Sequence, residues 1–116
     1  MNAQDFAAHW LASWTGGSAA VEGLLAFYAP DARYSDPRHP AGLVGHDALR
    51  AYFHKLLGRY PDWKWQVVEV APTSAGFALK WQATLGAKTC FGLDLVELRG
   101  SLISRNEVYF DPAALF

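Results

Sequence analysis

The sequence predicts an α+β fold, with helices packed on one face of a curved antiparallel sheet. Three observations carry that reading. Apolar residues recur at helical spacing in the first half of the chain and with a period of two in the second. The helical segments precede the long strands instead of alternating with them, which segregates the helices to one side of the sheet. Hydrophobic residues make up 52% and aromatics 15% of 116 residues, enough for a core. A chain this short has room for one core only, so residues 1–116 are read as a single domain.

The first helix starts at Asn2, a possible N-cap answered by Asp5 near the positive helix end. Phe6, Trp10 and Trp14 lie a turn apart on one stripe with Ala7 and Leu11, so that face is buried. Thr15-Gly16-Gly17-Ser18 breaks the pattern, and Ser18 can cap a second helix carrying Val21, Leu24, Leu25 and Tyr28. Ala29-Pro30-Asp31 ends it, and Ala32 to Ser35 is short and β-capable. Asp36-Pro37 opens a Pro/His/Gly-rich loop from which Gly45 releases the third helix, His46 to about Leu57. That helix places Leu49, Tyr52, Phe53, Leu56 and Leu57 inward and Asp47, Arg50, His54 and Lys55 outward, and Gly58 stops it. Beyond Pro61 the period becomes two. Trp63 to Ala71 and Phe77 to Leu85 read as half-buried strands, and the turns Leu85-Gly86-Ala87-Lys88 and Arg99-Gly100-Ser101 lead into Thr89–Arg99 and Leu102–Phe110, completing a meander.

Composition narrows the function. Ten Lys and Arg against eleven Asp and Glu leave a formal net charge of −1, so there is no basic footprint for nucleic acid or an anionic membrane. The polar start Met-Asn-Ala-Gln-Asp has no export-signal pattern, and no apolar run could span a bilayer; the chain reads as soluble and cytoplasmic. Cys90 is the one cysteine, which excludes an intrachain disulfide and suggests a packed strand residue. His9, His39, His46 and His54 form no metal-ligand spacing with carboxylates, and neither a phosphate-binding glycine loop nor a nucleophile elbow is present. No metal and no cofactor are expected.

Asp36 before Pro37, at a strand end and just upstream of a roofing helix, is a way to aim one carboxylate into a cavity; Asp-Pro is also common turn chemistry. Strand alternation puts Glu97 on one face with Phe91, Leu93 and Leu95, opposite Cys90, Gly92, Asp94, Val96 and Leu98. If that stripe faces a cavity, burial would raise the Glu97 pKa and keep it a proton donor. The alternative is a solvated Glu97 paired with Arg99 or Arg105. Asp36 would then be the general base, with Asn106 assisting from the last strand and His39 either orienting Asp36 or lying exposed.

Trp14, the run Leu24-Leu25-Ala26-Phe27-Tyr28-Ala29-Pro30-Asp31-Ala32, Asp36-Pro37, Gly45 before Tyr52-Phe53, and the closing Glu107-Val108-Tyr109-Phe110-Asp111 together resemble the SnoaL-like and ketosteroid-isomerase-like members of the nuclear-transport-factor-2-like superfamily. The resemblance covers nearly the whole chain. It implies a cone-shaped sheet around an apolar cavity closed by helices, and a homodimer through the outer sheet face. It carries over Asp36 as the carboxylate that moves a proton α to a carbonyl. The oxyanion tyrosine position falls near Trp10, its supporting tyrosines match Tyr28 and Phe53, and the protonated acid that shares the oxyanion matches Glu97. Two hydroxyls of that network are missing, which argues against steroid isomerisation itself.

Trp10, Trp14, Tyr28, Phe53, Trp81, Leu93, Leu95, Asn106, Val108 and Phe110 are thus the expected lining for a small hydrophobic carbonyl or polycyclic ligand. The aromatic rings could equally fill the cone. Two function classes follow: a cofactor-free isomerase, cyclase or dehydratase using Asp36 and Glu97, or a noncatalytic binding or dimeric interaction module.

Overall fold

The structure is a computed structural model and describes residues 2–115. The helix α1 (Ala3–Ala12) starts as expected, the Asn2 side chain accepting the Asp5 N–H at 2.8 Å. It stops before Trp14, which is nevertheless buried. Gly16 and Gly17 take positive φ values of 115° and 73°, a backbone that glycine adopts without steric cost. They lead into a 3₁₀ turn (Gly17–Ala20) and a short α2 (Val21–Leu25). Gly16, not Ser18, stands at the start of that turn, and Tyr28 has left the helix to begin a strand.

Six strands form one sheet: β1 (Tyr28–Asp36), β2 (His39–Val44), β3 (Lys64–Pro72), β4 (Gly76–Leu85), β5 (Lys88–Arg99) and β6 (Leu102–Phe110), in the order β2-β1-β6-β5-β4-β3. The meander β3 to β6 is antiparallel, but β1 lies parallel to β6, so the sheet is mixed where a purely antiparallel one was expected. The region after Asp36-Pro37, read as a loop, is the edge strand β2. Its Pro40 and Gly42 hide the strand signal, and an edge is where a sheet tolerates proline. The helix α3 (His46–Arg59) runs through Gly58, and α4 (Pro112–Leu115) ends the described chain.

The helices cover the concave side. Phe6, Trp10 and Leu11 of α1 and Leu49, Phe53 and Leu57 of α3 meet Phe77, Leu79, Trp81 and Ala83 of β4 in one core. Trp14 is its hub, edge-on to Phe53 at 5.0 Å and tilted against Trp65 at 6.2 Å. The arrangement is an α+β fold with a strongly curved, unclosed sheet.

The facing of β5 is the main correction. Gly86 and Ala87 make a two-residue hairpin that sets Leu85 opposite Lys88, so Leu79 faces Asp94, Trp81 faces Gly92 and Phe77 faces Val96. Directly opposed residues of an antiparallel pair share a face. Cys90, Gly92, Asp94 and Val96 therefore point inward with β4's buried residues. Phe91, Leu93 and Leu95 point outward and are 58%, 39% and 37% exposed. Glu97 is on that outer face, ion-paired with Arg105.

Candidate active site

The last residue of β1 is Asp36, 5% exposed. Pro37 forces a tight turn, and the backbone N–H groups of Arg38 and His39 donate to Asp36 Oδ1, each at 2.9 Å. Such a carboxylate-capped turn is ordinary chemistry for Asp. The other oxygen is less ordinary: Oδ2 accepts the hydroxyls of Tyr34 at 2.7 Å and Tyr52 at 2.5 Å. Tyr34 shares the inner face of β1 two residues upstream, and Tyr52 reaches down from α3. Burial, with Asp36 beside them, pushes both phenols up from their ordinary value, so both stay protonated donors.

A second carboxyl belongs to Asp94, at the centre of β5 and 4% exposed. Trp81 Nε1 donates to its Oδ1 at 2.7 Å and Asn106 Nδ2 to its Oδ2 at 2.9 Å, while the Asn106 amide oxygen accepts the Tyr28 hydroxyl at 2.9 Å. Burial pushes the Asp94 pKa up to about 7; the Asn106 and Trp81 hydrogen bonds oppose this and the Asp36 charge adds to it. Burial thus favours the protonated acid.

Both carboxyls line one cavity of about 40 Å³, walled by Leu11, Trp14, Leu56, Trp63, Trp65, Trp81, Val108 and Phe110 and by the two tyrosines. Trp65 is one of the walls, and its Nε1 is buried without a hydrogen-bond partner. Since a water needs at least ~10–15 Å³ by this measure and benzene fills an engineered cavity of ~150 Å³, the space suits a few heavy atoms. A polycyclic ligand does not fit it as it stands.

The expected site residues fall into four groups. Asp36, Trp14, Trp81, Val108 and Phe110 meet at the cavity. Trp10, Tyr28 and Phe53 form the fully buried layer behind it, and Asn106 holds Asp94 from β6. Leu93, Leu95 and Glu97 are corrections: the hairpin register turns them to the outer face. Residues not anticipated are Asp94, Tyr34, Tyr52, Trp63, Trp65, Leu11 and Leu56. Tyr34 was within reach of sequence reasoning, being two positions from Asp36 on the same strand face, and Asp94 could have been found by carrying β4's parity through the hairpin.

The architecture has a known counterpart. A profile for the SnoaL-like domain matches residues 7–106. The chain belongs to the SnoaL-like family. Among solved structures, a SnoaL-like protein of unknown function from Burkholderia thailandensis superposes with a TM-score of 0.81 at 18% identity, covering 94% of each chain. A candidate ketosteroid isomerase from Kribbella flavida gives 0.75 at 22% identity, over 94% of this chain and 77% of that one. A candidate isomerase of the SnoaL-like family from Agrobacterium tumefaciens gives 0.74 at 18% identity, over 93% and 96%. No curated protein matches the sequence. At these identities the neighbours establish the SnoaL-like fold, and a fold hosts many functions.

Among the described residues no group of three or more His, Cys, Asp and Glu side chains could hold a metal ion. No helix among them is long and apolar enough to cross a membrane.

Proposed function

We propose that this SnoaL-like protein, acting as one domain over residues 1–116, is a cofactor-free acid–base enzyme of the isomerase, cyclase or dehydratase type for a small carbonyl compound. The observation that carries the reading is two buried carboxyls on one aromatic-walled cavity, each held differently. Asp36 accepts four hydrogen bonds at the end of β1; Asp94 accepts two at the centre of β5, and burial outweighs them to push its pKa up to about 7. A carboxyl that burial helps to keep protonated suits the acid role, which leaves Asp36 for the base.

In the reaction, Asp36 takes a proton from the carbon beside the carbonyl, and the C–H electron pair moves onto the carbonyl oxygen as an enolate. Protonated Asp94 donates a hydrogen bond to that oxygen, in a dry site where such a bond counts for most. Return of the proton from Asp36 to another carbon completes an isomerisation. Asp36 as it stands accepts four hydrogen bonds, which fills a carboxylate's acceptor sites. A donor must therefore yield, and Tyr52, less buried than Tyr34, is the one placed to swing aside.

A binding module is the second reading, favoured by the smallness of the cavity. The deciding experiment is α-proton exchange in D₂O, followed by NMR over a panel of small ketones and aldehydes. Exchange that Asp36→Asn abolishes and that weakens as pH rises through about 7, the Asp94 value, supports the enzyme. No exchange with any member leaves the binding module.

We also propose a homodimer through the outer sheet face. Phe91, Leu93, Leu95 and Tyr109 are exposed there on adjacent strands, Leu93 directly opposite Tyr109, and a contiguous apolar patch on a sheet invites two-fold packing.

A further inference from the structure

A second depression lies directly outside the cavity wall. The β1–β2 hairpin and α3 enclose an open groove of about 620 Å³, more than ten times the volume of the inner cavity. The two spaces share Tyr52 and Leu56 as a common wall. Ala48, Ala51, Tyr52, Lys55 and Arg59 of α3 face the groove at spacings of three and four, one stripe of the helix opposite its buried Leu49, Phe53 and Leu57. The two alanines keep that side open.

The charge of the groove departs from that of the chain. Arg38, Lys55 and Arg59, with His39, line it and no Asp or Glu does, although acidic residues outnumber basic ones by one overall. Arg38 and His39 are also the residues whose amides hold Asp36, and the His39 ring meets the Tyr52 ring edge-on at 4.4 Å. Movement of Tyr52 would thus open the cavity into a cationic antechamber.

We infer that the ligand is an anion: a compound whose carbonyl end enters the small cavity past Tyr52 while a carboxylate or phosphate group rests in the groove against Arg38, Lys55 and Arg59. This rests on the acid–base reading for the carbonyl end. The inner cavity admits only a few heavy atoms, so the rest of any larger ligand lies outside it, and the groove that shares Tyr52 and Leu56 with it is lined by positive charge. Guanidinium and ammonium groups converging on one groove are the usual means of holding such a group.

The test uses 4-oxopentanoate, its neutral amide, and 3-oxobutyl phosphate as probes, with inorganic phosphate as a headgroup control. Binding is followed by NMR chemical shifts of the backbone amides of Arg38, His39, Lys55 and Arg59. The two anionic ketones are expected to bind about fivefold to tenfold more tightly than the amide, the gain from a few partly exposed charges. The advantage should shrink at high salt and shrink again in the Lys55→Gln/Arg59→Gln variant, whose changed side chains are exposed and which keeps Arg38. Whichever anionic ketone binds more tightly names the class, and inorganic phosphate alone shifting the groove amides marks a phosphate headgroup. Equal binding of the amide and the acids, or shifts confined to other surfaces, overturns the inference. Repeating the titration with Asp36→Asn separates the two claims: groove binding persists there if the anion site is real, even where proton exchange is lost or was never present.

Discussion

Burying Asp94 ties the stability of the fold to pH. Its folded pKa, about 7, lies above the ordinary value of 3.8, so the folded state holds a proton that the unfolded chain releases. Stability from this group is therefore complete below about pH 4, declines as pH rises through the interval to 7, and is constant above it. The full shift corresponds to a loss on the order of 4 kcal/mol. Chemical denaturation at a series of pH values is expected to show that decline, and Asp94→Asn, which cannot ionise, is expected to flatten it; an unchanged slope in the variant would remove Asp94 as its source. Trp81, 2% exposed and donating to Asp94, is expected to cost about 3–5 kcal/mol on truncation to alanine, and a loss near that of a surface change would contradict its placement. Asp36 was legible in the sequence because proline marks the end of its strand. Asp94 was not, because a lone Asp among apolar strand residues looks like the solvent side.

The element that misled the sequence reading is β5. Its outward residues, Phe91, Leu93 and Leu95, are larger and more apolar than its inward ones, so hydrophobicity alone selects the wrong face. The physical reason for small inward residues is Trp81. A Cβ built on Gly92 would lie 2.1 Å from the Trp81 ring, so glycine is required where the indole crosses the neighbouring strand. Gly92→Ala is expected to destabilise by about 1–3 kcal/mol through overpacking, read as a lowered denaturation midpoint. An unchanged midpoint would mean that Trp81 is not held against β5. By contrast α3 was readable because its apolar stripe is regular, and β4 because its buried and part-exposed residues alternate without a bulge. The strand β2 lost its signal to Pro40 and Gly42, and the start of β1, before the β-capable Ala32 to Ser35, lost its signal to Pro30. The parallel pairing of β1 with β6 is a long-range choice with no local mark.

At the scale of the molecule, curvature divides the sheet into a concave side that builds the cavity and a convex side that presents apolar strand residues to the outside. Around Leu93, Leu95 and Tyr109 the convex side also carries Arg105 bridging Glu97 and Glu107, a polar margin of the kind that rims an interface core. Light scattering at micromolar concentration is expected to give the dimer mass and Leu93→Lys/Leu95→Lys the monomer mass; a monomeric native protein would contradict the proposed interface. The fold family was legible because element order and loop punctuation agree along the whole chain. The cavity's size was not, since side-chain packing decides whether rings line a space or fill it. The proposed chemistry requires that Asp36 on β1 and Asp94 on β5 act on each other across one cavity. Its most direct test is carboxyl-selective ¹³C NMR titration of the native protein and of Asp36→Asn. The native protein is expected to show an Asp94 midpoint near 7 that moves down when the Asp36 charge is removed. An Asp94 midpoint in the ordinary carboxylate range, or one indifferent to Asp36→Asn, would contradict it.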